Sequence, residues 1–149
     1  SGTRLGEGEL VEAMRVLLLP LTTVLTPNIF EVHTLAPGSD TPAAAAVALL
    51  ESNCKYVLLT GTHGKTQDVV HTLFSNHHEL RRYTYERLPH KYHGSGCTLA
   101  SSLAAIMATE PDIESAVHQA LDYTYKTLVH GKRIGMGQYH PDRFFWTKE

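Results

Sequence analysis

Three short runs in this sequence carry residue types suited to chemistry on an anionic group. The first is His93-Gly94-Ser95-Gly96-Cys97-Thr98, two glycines around a serine that lead into a small-residue helical pattern headed by a cysteine. A loop of this kind exposes several backbone N–H groups at a helix N-terminus, where unpaired donors and the positive end of the macrodipole attract phosphate-like charge. Cys97 sits at the mouth, where the same field favours a thiolate. The second run is Thr26-Pro27-Asn28-Ile29-Phe30-Glu31. Its proline ends a predicted strand and directs the following residues past the carboxyl edge, the side on which open parallel sheets bind ligands. Asn28 and Glu31 are three apart, so a helical turn starting there puts them on one face, placed to order water jointly around a magnesium ion. The third run, Thr60-Gly61-Thr62-His63-Gly64-Lys65, follows the next predicted strand at the same edge. The three loops are expected to converge on one crevice.

Taken singly, each run also has an ordinary explanation. A Gly-Ser-Gly before a helix commonly serves as a tight turn, and a lone cysteine such as Cys97 as a small buried hydrophobe. Asn28 and Glu31 read equally as a turn cap and a solvated charge, and His63 and His93 as partners of their own loop backbones.

The elements that must position these loops alternate between helix and strand. Leu10, Val11, Met14, Leu17 and Leu18 recur at helical spacing as far as Pro20, and Thr23-Val24-Leu25-Thr26 then predicts a short buried strand. Thr41-Pro42 supplies a cap and a first-turn proline for a helix through Leu50 that feeds the strand Tyr56-Val57-Leu58-Leu59. Thr72-Leu73-Phe74, a polar Ser75-Asn76 turn and then Leu80, Tyr83 and Tyr85 predict an antiparallel hairpin at the sheet edge. From Gly96 the pattern is helical, and its small residues Ala100, Ser101, Ala104 and Ala105 predict a central, buried helix. Ile113, Ala116, Val117, Ala120, Leu121, Thr124 and Leu128 mark one face of a second helix that pairs with it. The tail from Gly131 reads as a loop whose Phe144-Phe145-Trp146 end docks on the body. The class is α/β.

Composition narrows the partners. At 149 residues, with 42% hydrophobic and 19% charged content, the chain suits one globular domain or a large piece of one. A net charge of −2 gives no overall electrostatic reason to bind nucleic acid or anionic lipid. No apolar stretch approaches the roughly 18 residues of a spanning helix, and Ser1-Gly2-Thr3-Arg4 lacks a signal-peptide layout, so a cytoplasmic protein without a membrane partner is expected. Cys54 and Cys97 are the only cysteines, with no CxxC, which points to neither a disulfide framework nor a zinc knuckle.

The runs Leu25-Thr26-Pro27-Asn28-Ile29-Phe30-Glu31, Val57-Leu58-Leu59-Thr60-Gly61-Thr62-His63 and His93 to Ala105 resemble, in order and spacing, the hydroxymethylpyrimidine/phosphomethylpyrimidine kinases of thiamine biosynthesis, members of the ribokinase-like superfamily. The resemblance extends to the closing Arg143-Phe144-Phe145-Trp146. It implies a three-layer α/β/α fold with a mostly parallel sheet and an antiparallel edge hairpin, residues 1–149 forming a single domain on the nucleotide side of a longer kinase. It implies that ATP, with Mg²⁺, phosphorylates hydroxymethylpyrimidine phosphate to the diphosphate and, in many members, the free alcohol to the monophosphate, and that the full-length protein is a homodimer. By the same resemblance the backbone of Gly94, Ser95 and Gly96 stabilises the migrating charge, and Cys97 stands where sugar-kinase relatives hold an aspartate base. Asn28 and Glu31 match an NxxE element that holds Mg²⁺, water and phosphate, while Thr60, Gly61, Thr62, His63 and Asn28 fall on the nucleotide side.

Two departures qualify what is implied. Thr60 stands where many members carry a phosphate-binding lysine, with Lys65 as the nearby cation of the loop. Family members are also much longer, so this chain reads as their C-terminal part and is expected to give no turnover alone. Two other classes stay open: a non-catalytic nucleotide-binding remnant, and a cysteine enzyme with Cys97 as nucleophile and His93 or a distant histidine as base. A phosphatase-type Cys-x5-Arg loop is absent, because the sixth residue after Cys97 is Leu103.

Overall fold

A computed structural model describes residues 7–61 and 66–148, and the chain divides into two compact units, Ser1–Thr84 and Tyr85–Glu149. The first unit begins with helix α1 (Glu7–Ala13), which widens into a π-helical turn over Met14–Leu18 and tightens into a 3₁₀ turn over Leu19–Leu21. One regular helix over residues 10–18 is therefore not what forms. Pro20 lacks the N–H that would bond the carbonyl of Val16, and its ring crowds that carbonyl. Of this apolar run Leu19 is buried, while Leu10, Leu17 and Leu18 are exposed.

Strand β1 (Val24–Leu25) is shorter than expected and leads through Pro27 into helix α2 (Ile29–Leu35). Helix α3 (Pro42–Leu50) starts as the sequence predicts: the Thr41 hydroxyl accepts from the Ala44 amide at 3.1 Å, ahead of a proline whose missing N–H costs nothing there. Strand β2 (Tyr56–Leu59) pairs parallel with β1, setting Leu25 opposite Val57. Strands β3 (Asp68–Ser75) and β4 (His78–Glu86) complete a mixed sheet of order β1-β2-β3-β4, with β2 and β3 antiparallel and the hairpin at the edge as expected.

The hairpin turn is Asn76-His77 rather than Ser75-Asn76, with φ of 49° and 64°. A two-residue connection needs positive φ at both positions to match strand twist, and asparagine tolerates that region well. Ser75 stays in β3 and donates its hydroxyl to the Lys55 carbonyl at 3.3 Å. Val32, Leu35, Ala45, Leu49, Val57 and Phe74 anchor the core of this unit. Cys54 lies in the same cluster, where burial pushes its thiol up while Sγ donates to the Tyr56 carbonyl at 3.2 Å.

In the second unit, helices α4 (Ser95–Met107) and α5 (Ile113–Val129) pack against each other as a helical pair. Asp112 caps α5 by accepting from the Ser115 amide at 2.8 Å. Leu99 and Leu103, four apart, are buried with Ala116, Val117, Ala120 and Leu121. The small-residue face of α4, expected to be buried, is not: Ala100, Ser101, Ala104 and Ala105 are exposed. Within this unit α5 covers the leucine stripe, and the small-residue stripe lies on another side of α4.

The tail is more regular than the expected loop. Strands β5 (Lys132–Arg133) and β6 (Tyr139–His140) pair antiparallel, and a 3₁₀ turn follows over Phe145–Lys148. Arg133 holds the connection by donating to the carbonyls of Met136 at 2.7 Å and Gly137 at 3.1 Å. The aromatic end does dock: the Phe145 ring stacks on His130 at 5.1 Å and Trp146 lies 5.9 Å from Tyr123.

Candidate active site

In the first unit, the proline that ends β1 places Asn28 at the N-cap of α2. Asn28 Oδ1 accepts from the amides of Phe30 at 2.9 Å and Glu31 at 3.0 Å, and Glu31 Oε2 accepts from the Asn28 amide at 2.9 Å. This reciprocal capping box puts the two side chains on one turn, as their spacing predicts. It also engages one oxygen of each in holding the helix start. Glu31 is exposed, and its Oε1 has no hydrogen-bond partner among the described residues. The turn borders a hollow of about 380 Å³ lined by Leu25, Thr26, Pro27, Glu31 and Thr34.

The loop after β2 lies directly beside this turn. Thr60 bridges Asn28 in parallel register, and its amide donates to the Pro27 carbonyl at 2.8 Å. The Thr60 hydroxyl is buried and donates to the same carbonyl at 3.3 Å. Thr60 thus clamps the two loops together rather than presenting its hydroxyl outward. Gly61 follows with the Val70 carbonyl where a β-carbon would stand, so the main chain here passes too close to β3 for any side chain. Thr62, His63 and Lys65 lie outside the described residues.

The donor set fits a hydrated magnesium ion and not a protein cage. Mg²⁺ keeps most of its waters and is held through one or two carboxylates plus substrate phosphates, and Glu31 offers one free carboxylate oxygen beside the Asn28 amide. No group of three His, Cys, Asp or Glu side chains gathers among the described residues.

In the second unit, Gly94 is the N-cap of α4 at φ +87°, a left-handed conformation that a glycine adopts without strain. It has no side chain with which to cap the helix. Its carbonyl is turned into the first helical turn, accepting from the Thr98 amide at 3.0 Å and the Thr98 hydroxyl at 2.8 Å. The amides of Ser95, Gly96 and Cys97 have no acceptor among the described residues, and they sit at the positive end of a 13-residue helix. An unmet donor set of this kind can receive an anion. Cys97 is exposed and free, and lines an open groove of about 680 Å³ with Ser101, Tyr123, Arg143 and Trp146.

Arg143 and Thr98 are the residues that sequence reasoning missed as parts of this site. Arg143 Nε donates to Thr98 Oγ1 at 3.0 Å, and its Nη2 lies 3.1 Å from the position a β-carbon on Gly94 would take. The only signal was a single cation at the head of an aromatic tail. His93, adjoining the loop, donates its amide to the Tyr139 carbonyl at 2.9 Å, and its ring meets His140 edge-on at 5.8 Å.

A family model described as phosphomethylpyrimidine kinase matches residues 1–142. The hydroxymethylpyrimidine/phosphomethylpyrimidine kinase of Haemophilus influenzae is 32% identical over 146 residues, covering 91% of this chain and 54% of the relative. The chain spans about half the length of the curated relatives it matches. Among solved structures, the pyridoxal kinase of Staphylococcus aureus in complex with AMP-PCP and pyridoxal superposes with a TM-score of 0.88 at 22% identity, over 98% of this chain and 56% of that one. An ADP complex of Bacillus subtilis pyridoxal kinase gives 0.86 at 24% identity, over 95% and 55%. These two likenesses show a shared fold.

Proposed function

The chain belongs to the phosphomethylpyrimidine kinase family, and from that membership we propose that it serves ATP-dependent phosphorylation of hydroxymethylpyrimidine phosphate to the diphosphate, and of the free alcohol to the monophosphate. The observation that carries this reading is the row of acceptor-free amides from Ser95 to Cys97 behind a left-handed Gly94. Phosphoryl transfer asks a protein for positioning and charge stabilisation more than for covalent help. Amides fixed at a helix start meet that need, because they do not reorganise as charge moves onto the equatorial oxygens.

The proposed roles divide by unit. Gly94, Ser95, Gly96 and Cys97 present main-chain donors to the transferring group. Asn28 and Glu31 hold water of Mg²⁺, and Thr60 and Gly61 shape the end of β2 on the nucleotide side, with Thr62 and His63 assigned to the nucleotide by the family resemblance alone. Bound Mg²⁺ supplies charge neutralisation on the phosphates. Cys97 acts as general base for the alcohol: it takes the hydroxyl proton as that oxygen bonds to the γ-phosphorus and the bond to the ADP oxygen breaks. A phosphate acceptor has already lost its protons near neutral pH, its second pKa being about 6, so Cys97 has less to do there.

Replacing Cys97 by alanine, in the form of the protein that turns over, should therefore lower phosphorylation of the alcohol by about 100-fold and that of the monophosphate far less, with Mg·ATP affinity preserved. Equal rates for the variant and the parent on the alcohol would remove Cys97 from the base role. In keeping with its span of about half its relatives' length, we propose that this chain alone binds Mg·ATP without turnover, and that homodimerisation belongs to the longer form. Calorimetry with Mg·ATP and an ADP-release assay with hydroxymethylpyrimidine phosphate check both parts. No heat of nucleotide binding overturns the kinase reading, and sustained ADP release by this chain overturns its inactivity.

A further inference from the structure

We propose that Arg143 is a positioning residue for the turn at the start of α4, acting through the Thr98 hydroxyl to fix the Gly94–Ser95 peptide. The inference rests on the phosphate-binding reading of that turn. A hydroxyl has one proton to give and lone pairs to receive, and Thr98 Oγ1 uses both: it donates to the Gly94 carbonyl at 2.8 Å and accepts from Arg143 Nε at 3.0 Å. The Arg143 guanidinium thereby settles the direction in which the threonine proton points. A charged donor also makes that hydroxyl a stronger donor to its own acceptor.

Because a peptide unit is planar and trans, holding the Gly94 carbonyl toward Thr98 turns the Ser95 N–H the opposite way, outward from the helix start. The next two amides follow from the helical geometry. Gly94 is favoured here by its φ of +87°, and Arg143 Nη2 lies 3.1 Å from where a β-carbon at that position would stand. Arg143 reaches this turn from 45 residues beyond Thr98. It follows the β5–β6 pair, whose Tyr139 carbonyl receives the His93 amide at 2.9 Å, so the strand holds the loop at His93 and the side chain holds it at Thr98.

The test compares Arg143→Gln, Thr98→Val, Thr98→Ser and the double variant Arg143→Gln/Thr98→Val by Mg·ATP calorimetry and by amide hydrogen exchange of the nucleotide-free chain. Arg143→Gln and Thr98→Val should each weaken Mg·ATP by about tenfold, the double variant no further than either alone, and Thr98→Ser scarcely at all, since it keeps the hydroxyl. The Thr98 amide, which donates to the same Gly94 carbonyl, should exchange faster in Arg143→Gln and Thr98→Val. Additive losses, or an Arg143→Gln chain with parental exchange at Thr98, overturn the relay. If the parent chain itself binds no Mg·ATP, the kinase reading fails, and the exchange rates still decide the relay.

Discussion

Glu31 has two duties that one substitution separates. Its carboxylate closes the capping box on the Asn28 amide, and its second oxygen is the proposed contact to the hydration shell of Mg²⁺. A glutamine at the same position keeps the capping geometry and loses the charge. Glu31→Gln should thus unfold in urea within about 0.5 kcal/mol of the parent while demanding several-fold more Mg²⁺ for nucleotide binding. Asn28→Ala, in contrast, should cost about 1 kcal/mol of stability by removing the acceptor for two helix-start amides. An unchanged metal requirement in Glu31→Gln would reduce the pair to a cap. His71 on β3 offers a second residue-scale test, because burial holds its imidazole down at about 4 against an ordinary 6.5. The unfolded chain takes up that proton first as pH falls, so the stability due to this group is complete above pH 6.5 and is lost progressively toward pH 4. Urea unfolding at pH 5 should show a loss of about 2 kcal/mol relative to pH 7 that a His71→Leu chain lacks. The Asn28–Glu31 pair was legible from its spacing. Arg143 was not, since its partner lies 45 residues away and no local pattern encodes such a contact.

Elements were legible in kind and less so in their faces. The cap at Thr41, the parallel β1–β2 pair and the α4–α5 pairing follow from residue chemistry and periodicity. Periodicity marks a stripe that suits burial, yet whether another element covers it depends on tertiary context. Hence the small-residue side of α4 and the leucines of residues 10–18 are exposed where their pattern suggested a core. The tail illustrates the opposite error: its glycines suggested a loop, while Gly135 at φ +83° helps close the short β5–β6 pair. At the joint between β2 and β3, Gly61 is the position with least tolerance. Gly61→Ala forces the main chain off the Val70 carbonyl and should cost about 2 kcal/mol or more in urea unfolding, with the proposed nucleotide loop displaced. A parental midpoint in that variant would show that the strands part without penalty.

At the scale of the whole molecule, attraction for a nucleotide does not come from net charge, which is −2. The proposed function assigns it to local donors: the open amides of α4 with the Arg143 guanidinium beside them, and a proposed Mg²⁺ at Glu31. The family resemblance was readable because the runs that carry it, 25–31, 57–63 and 93–105, are each contiguous in sequence, unlike the Arg143–Thr98 contact. The most direct measurement is a titration of the ¹⁵N-labelled chain with Mg·ATP, following every assigned backbone amide. The account predicts that Ser95, Gly96 and Cys97 move furthest and saturate together, with Glu31 moving only when Mg²⁺ is present. Saturable shifts elsewhere with these three amides unmoved, or no shifts in a folded chain, would contradict it.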